Sequence, residues 1–218
     1  MCFSATASFI AGVSLSALGA VTVKKAERKT EIPFAMIPLL FGVQQIIEGM
    51  LWLSFRFDAP LLNVIMTYMF TLFSHVLWPM YVPFAIGLVE TVAWRKKAIR
   101  VFQFIGIAVG LYLFYLVVRF PVTSKVEEHI VYVSPHFYKA PMMALYLAAT
   151  CVGAFFSSHK LINLFGILAL LLFMVAYRVH AAAFFSIWCF FAAILSAVIY
   201  LHFKFGNERA VDLMRHRA

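Results

Sequence analysis

Glu48 is a carboxyl in the middle of an apolar stretch, Ile32–Phe55, and Gln44, Gln45 and Trp52 accompany it at helical spacing. Positions i, i+1, i+4 and i+8 fall on one helix face. A lone charge in hydrocarbon costs roughly 2.5–3.5 kcal/mol or more, so this carboxyl needs a hydrogen-bonding neighbour, a counter-charge or a proton. A second polar stripe, Thr67, Thr71, Ser74, His75 and Trp78, runs through the next apolar stretch at three- and four-residue steps. His75 falls at about the depth of Glu48, so a Glu–His pair could relay protons, bind a metal or hold a polar ligand. The plainer alternative is that Ser74 and His75 join helices by hydrogen bonds. Pro79 and Pro83 follow, which predicts a kink with carbonyls freed near Ser74 and His75.

The thiols extend the list. Ser186, Trp188 and Cys189 lie near the start of the last apolar stretch, and Cys2 lies at the beginning of the first. Removal of Met1 would expose an α-amine beside the Cys2 thiol, a nucleophile or chelator; a disulfide is the other use of an outside thiol. No CxxC motif is present, and Cys151 reads as a small packing residue. Candidate catalytic groups are thus Glu48, His75 and Cys2. Candidate metal ligands are Cys2, Glu48, His75 and Cys189, with zinc or copper as the metal. The binding reading uses Glu48, Gln44, Gln45 and Ser74, with Trp52, Trp78 and Trp188 as walls. Carboxylate and aromatic faces together suit a small cation, an amine or a lipid headgroup.

The elements that must position these groups are membrane helices. Sixty-four per cent of the 218 residues are hydrophobic and mean hydropathy is +0.94, far above a soluble domain. Seven apolar stretches follow one another, Phe3–Val23, Ile32–Phe55, Met66–Val89, Ala98–Val118, Ala140–Phe156, Leu161–Tyr177 and Phe184–Phe203. No period-two alternation runs through them, and lipid offers no partner to an open strand edge, so each is predicted to be a helix. The fold expected is an all-α, seven-helix integral membrane bundle over 1–204, with a short basic tail over 205–218.

Basic residues set the orientation. Lys24, Lys25, Arg28, Lys29, Arg95, Lys96, Lys97, Arg100, Lys160, Lys204, Arg209, Arg215 and Arg217 fall on one side. Arg56, Arg119, Lys125, Lys139 and Arg178 fall on the other. The positive-inside rule then places the N-terminus outside and the C-terminus in the cytoplasm of a cell membrane, the inner membrane if the cell is bacterial. The net charge of +9 follows from these clusters, which suit anionic headgroups; without a nucleic-acid module, nucleic acid is not an expected partner. Lys24 and Lys25 after the first stretch give the charge order of an N-out anchor rather than of a cleaved signal. The one long connection, Phe120–Lys139, contains Ile130-Val131-Tyr132-Val133, which favours either a short outer hairpin or a solvated loop.

Four segments resemble the motifs of a mostly bacterial family of membrane proteins without an assigned activity. They are Met1-Cys2-Phe3-Ser4-Ala5-Thr6-Ala7-Ser8-Phe9; Gln44-Gln45-Ile46-Ile47-Glu48-Gly49-Met50-Leu51-Trp52; Trp78-Pro79 with Val82-Pro83; and Ser186-Ile187-Trp188-Cys189-Phe190-Phe191-Ala192-Ala193. The resemblance implies the fold and marks Cys2, Glu48, Trp52, Trp78, Trp188 and Cys189 as motif positions; His75 is outside the motifs. Two other seven-helix families fit poorly. A microbial rhodopsin needs a lysine in its last helix, and Phe184–Phe203 has none. Intramembrane zinc hydrolases resembling alkaline ceramidases use HxxxH in the last helix, whereas His180 here is followed four residues later by Phe184. The functional expectation is a membrane protein with an outer-half polar and aromatic pocket centred on Glu48. The alternatives are a metal-dependent intramembrane enzyme using Glu48, His75 and Cys2 or Cys189, and a transporter or proton relay.

Overall fold

The computed structural model describes residues 4–127, 129–133, 140–179 and 183–205. Cys2, Pro135, Lys139, His180 and the tail from 206 lie outside the described residues. Helix α1 (Ala5–Lys25) starts where the Ser4 hydroxyl accepts the Ala7 N–H at 3.2 Å and ends with Lys24 and Lys25 in its last turn, favourable to the helix dipole. A 3₁₀ turn (Lys29–Glu31) and a short α2 (Ile32–Ala35) lead into α3 (Ile37–Arg56), whose Pro38 sits in the first turn, where a missing N–H costs nothing. α1 packs along α3. A Cβ at Gly19 would stand 2.4 Å from Leu39 N, so that crossing admits only glycine.

Asp58, at φ 46°, takes the left-handed conformation that reverses the chain after α3, and Ala59 N–H returns to Ser54 O. The next span comprises α4 (Pro60–Thr71), a π-helical turn (Leu72–Leu77) and α5 (Trp78–Val89). It begins at Pro60 rather than at Met66, because proline's fixed φ suits the first helical position. α6 (Ala93–Arg119) begins before the expected Ala98, its first turns carrying Arg95, Lys96 and Lys97. Strands β1 (Thr123–Val126) and β2 (Ile130–Val133) form the antiparallel hairpin, with Ser124 opposite Tyr132.

α7 (Ala140–Thr150) and a 3₁₀ segment (Val152–Phe156) form the shortest apolar unit. α8 (Lys160–Val179) and α9 (Phe184–Leu195) follow, and helix resumes over 197–205 after a turn at Ser196.

Six helices are long and apolar enough to cross a membrane. Of the seven stretches expected to cross, six have this length, and the seventh is the shorter Ala140–Phe156. Its axial length is roughly 27 Å even with the steeper 3₁₀ rise, against a core of about 30 Å. Large apolar side chains are exposed on the outside of these helices, Phe104 and Val118 on α6 at 66% and 70%.

At the end of the bundle that holds the basic clusters, Glu90 ties two connections together. It accepts Val92 N–H at 2.8 Å, Ser158 N–H at 2.6 Å and the Ser158 hydroxyl at 2.9 Å. Burial pushes its pKa up, but these hydrogen bonds and the nearby His159 outweigh it, and the net direction is down.

Candidate functional site

Gln44, Gln45 and Glu48 are wholly buried on α3. The Ser186 hydroxyl in the first turn of α9 donates to Glu48 Oε1. Cys189, one turn further along α9, hydrogen-bonds the Gln44 side chain and lies within electrostatic range of the same carboxyl. From the third span, Trp78 Nε1 donates to Gln44 Oε1 at 2.7 Å, and its ring stacks on Phe41 with centroids 3.9 Å apart. α3, α5 and α9 thus meet around the polar stripe of α3. Three- and four-residue spacing explains it: Phe41, Gln44, Gln45 and Glu48 form one stripe, and Ser186 and Cys189 another.

The π turn explains a second bond. In an α-helix Trp78 N–H would donate to Ser74 O; here it donates to Phe73 O. Pro79 has no N–H, so it cannot supply the i→i+5 bond either. Ser74 O is left without either helical donor, and the Tyr146 hydroxyl of α7 donates to it. α6 closes this place from behind: a Cβ at Gly106 would stand 1.8 Å from Pro79 O. The freed carbonyl expected near Ser74 is present, and its cause is a widened turn together with proline. The Ser74 hydroxyl bonds His75 Nδ1 at 2.7 Å, and the His75 ring also meets the Thr71 backbone.

Trp188 and Trp52 occupy the flanks. Trp188 Nε1 donates to Ala169 O on α8 at 2.9 Å, and the ring stands edge-on to Tyr146. A cavity of about 30 Å³ lies between Trp78, Tyr146, Thr150, Trp188 and Cys189, room for about one water. Trp52 packs with a cluster of Leu51, Phe70, Ile130, Tyr132 and Cys189. The hairpin caps this cluster: Tyr132 stacks on Phe70 at 4.5 Å, while Ser124 bonds Thr67 at 2.7 Å and Asn63 at 3.2 Å.

Several buried polar atoms of this region have no hydrogen-bond partner within the described protein: both amide atoms of Gln45, Trp52 Nε1 and Ser8 Oγ. Ser8 belongs to the buried face of α1, next to Phe9, which meets Gly49 of α3. Among the described residues no group of three or more His, Cys, Asp or Glu converges as a metal site; Cys2, the remaining proposed ligand, lies outside them. Cys189 and Cys151 are buried free thiols. Tyr146 and Phe41 were not among the sequence candidates. Tyr146 had a signal, a hydroxyl in an apolar helix that must find an acceptor; Phe41 had none to separate it from the other 23 phenylalanines.

No curated protein and no solved structure matches the chain. One family model does, over residues 1–214, under the description "Family of unknown function (DUF6629)".

Proposed function

The chain belongs to DUF6629, a family of unknown function, and we propose from its site that it is a multi-pass membrane protein that binds a proton or small cation at Glu48. The observation that carries this reading is the wholly buried Glu48–Ser186 pair beside Gln45, whose amide oxygen and nitrogen both lack a hydrogen-bond partner among the described residues. Carboxylate, amide and hydroxyl oxygens together suit a small hard cation or a protonated water. The nearby cavity, which is lined by Trp78 and Cys189, holds only about 30 Å³ and favours the small end of the expected ligands. An amine or lipid headgroup would require α3, α5 and α9 to part. The membrane setting is supported by the six long apolar helices and the exposed apolar belt.

The test is the carboxyl band of Glu48 in the infrared difference spectrum of reconstituted protein, recorded across pH and across sodium, potassium and calcium additions. A band that moves with pH or cation and vanishes in Glu48→Gln is expected. Glu48→Gln should fold, since its amide still bonds Ser186, whereas Glu48→Leu should lose about 1–2 kcal/mol of stability. A carboxyl signal unresponsive to every addition would reduce Glu48 to structural glue.

The metal-enzyme reading keeps one specific support, the Cys189 thiol within electrostatic range of Glu48. Metal analysis of the purified full chain decides it: stoichiometric zinc or copper, lost with Cys189→Ser, would favour the enzyme.

A further inference from the structure

A groove on the lipid-facing side of the third and fourth spans has the chemistry of one particular ligand. Its apolar part, about 610 Å³, is walled by Leu40, Val76, Met80 and Phe84 on one side and Ile107 and Phe114 on the other. A smaller cavity of about 160 Å³ continues from it and is lined by Lys96 and Arg100; Phe84 and Gln103 border both. The stripe Lys96, Arg100, Gln103, Ile107, Phe114 on α6 recurs at three- and four-residue multiples, so one helix face carries charge, then an amide, then hydrocarbon.

Three observations choose the occupant. Among the described residues Lys96 and Arg100 have no ion-pair partner, since the ion pair of that set is Arg28–Glu31. Gln103, one turn deeper and bordering both spaces, makes no side-chain hydrogen bond among the described residues, and an amide on a lipid-facing wall costs free energy until something meets it. Arg100 to Phe114 spans about 21 Å by helical rise, somewhat more than the ~15 Å depth of one hydrocarbon leaflet. Trp94, 60% exposed beside Arg95, marks the interface at the charged end.

We propose that this groove is a binding site for an anionic phospholipid. The phosphate sits at Lys96 and Arg100, an ester carbonyl accepts from the Gln103 amide, and an acyl chain lies along Ile107 to Phe114. The site is separate from Glu48 and rests on the membrane reading alone.

The experiment uses the full chain in neutral detergent, exchanged against phosphatidylglycerol and phosphatidylcholine of matched chains, with retained lipid counted by native mass spectrometry. Retention of phosphatidylglycerol at about tenfold over phosphatidylcholine is expected. Lys96→Gln/Arg100→Gln should erase the preference, Lys96→Arg/Arg100→Lys should keep it, and Ile107→Trp should lower retention of both lipids. Helical circular dichroism shows that each variant is folded. Equal retention of the two lipids, or a preference that survives in Lys96→Gln/Arg100→Gln, would overturn the site. Displacement of the lipid by glycerol phosphate at equal concentration would also overturn it, showing a phosphate site without a chain groove. Release of the chain from membranes by carbonate would remove the membrane premise instead, and the site with it.

Discussion

Trp78 and Gln44 join the third span to the second through one hydrogen bond, indole nitrogen to amide oxygen at 2.7 Å, with both side chains buried. The indole ring also stacks on Phe41, so the pair couples a directional bond to aromatic contact. Trp78→Phe keeps the stacking and removes the donor. It should destabilise the protein by about 1–2 kcal/mol, read as a loss of thermal stability in detergent. Gln44→Leu added to Trp78→Phe should cost less than the sum of the two, because the oxygen left unsatisfied is then gone.

The Tyr146–Ser74 bond exists because Pro79 and the π turn leave Ser74 O without a helical donor. Tyr146→Phe should therefore cost about 1–3 kcal/mol, the penalty of a buried unsatisfied carbonyl. Pro79→Ala restores an N–H that can serve this turn. A double-mutant cycle should show Tyr146→Phe to be milder in the Pro79→Ala background; equal costs in both would refute the link.

Glu90 predicts a pH dependence at the basic end of the bundle. Its folded pKa lies below the ordinary value of 4.5, so the stability it contributes is fully present above that value. It is lost as pH falls through the folded pKa. Comparing wild type with Glu90→Gln, the stability difference should be constant near neutrality and shrink below about pH 4.5. A difference that grew on acidification would reverse the assignment.

The distribution of Lys and Arg predicts the orientation. A C-terminal fusion should be active with a reporter that works in the cytoplasm and silent with one that needs the periplasm. The opposite pattern would invert the topology and move the Glu48 site to the inner half.

Helices, their order and the polar faces were readable from the chain because each rests on local rules. Hydrocarbon admits only internally bonded segments, and three- and four-residue spacing puts Gln44, Gln45 and Glu48 on one face whatever lies opposite. The 3₁₀ end of the short Ala140–Phe156 unit was not legible, because length and apolar composition do not separate 3₁₀ from α geometry. The hairpin was legible only as one of two options, since Ile130–Val133 has strand propensity but the burial of Tyr132 against Phe70 is tertiary. Partners lay beyond spacing altogether. That Ser186 faces Glu48, that Tyr146 fills Ser74 O and that Phe84 of α5 closes a groove over the α6 face of Lys96, Arg100 and Gln103 depend on helix rotation and crossing. Those are set by close approaches such as Gly19 on Leu39 and Gly106 on Pro79, contacts between residues distant in sequence that no local pattern encodes.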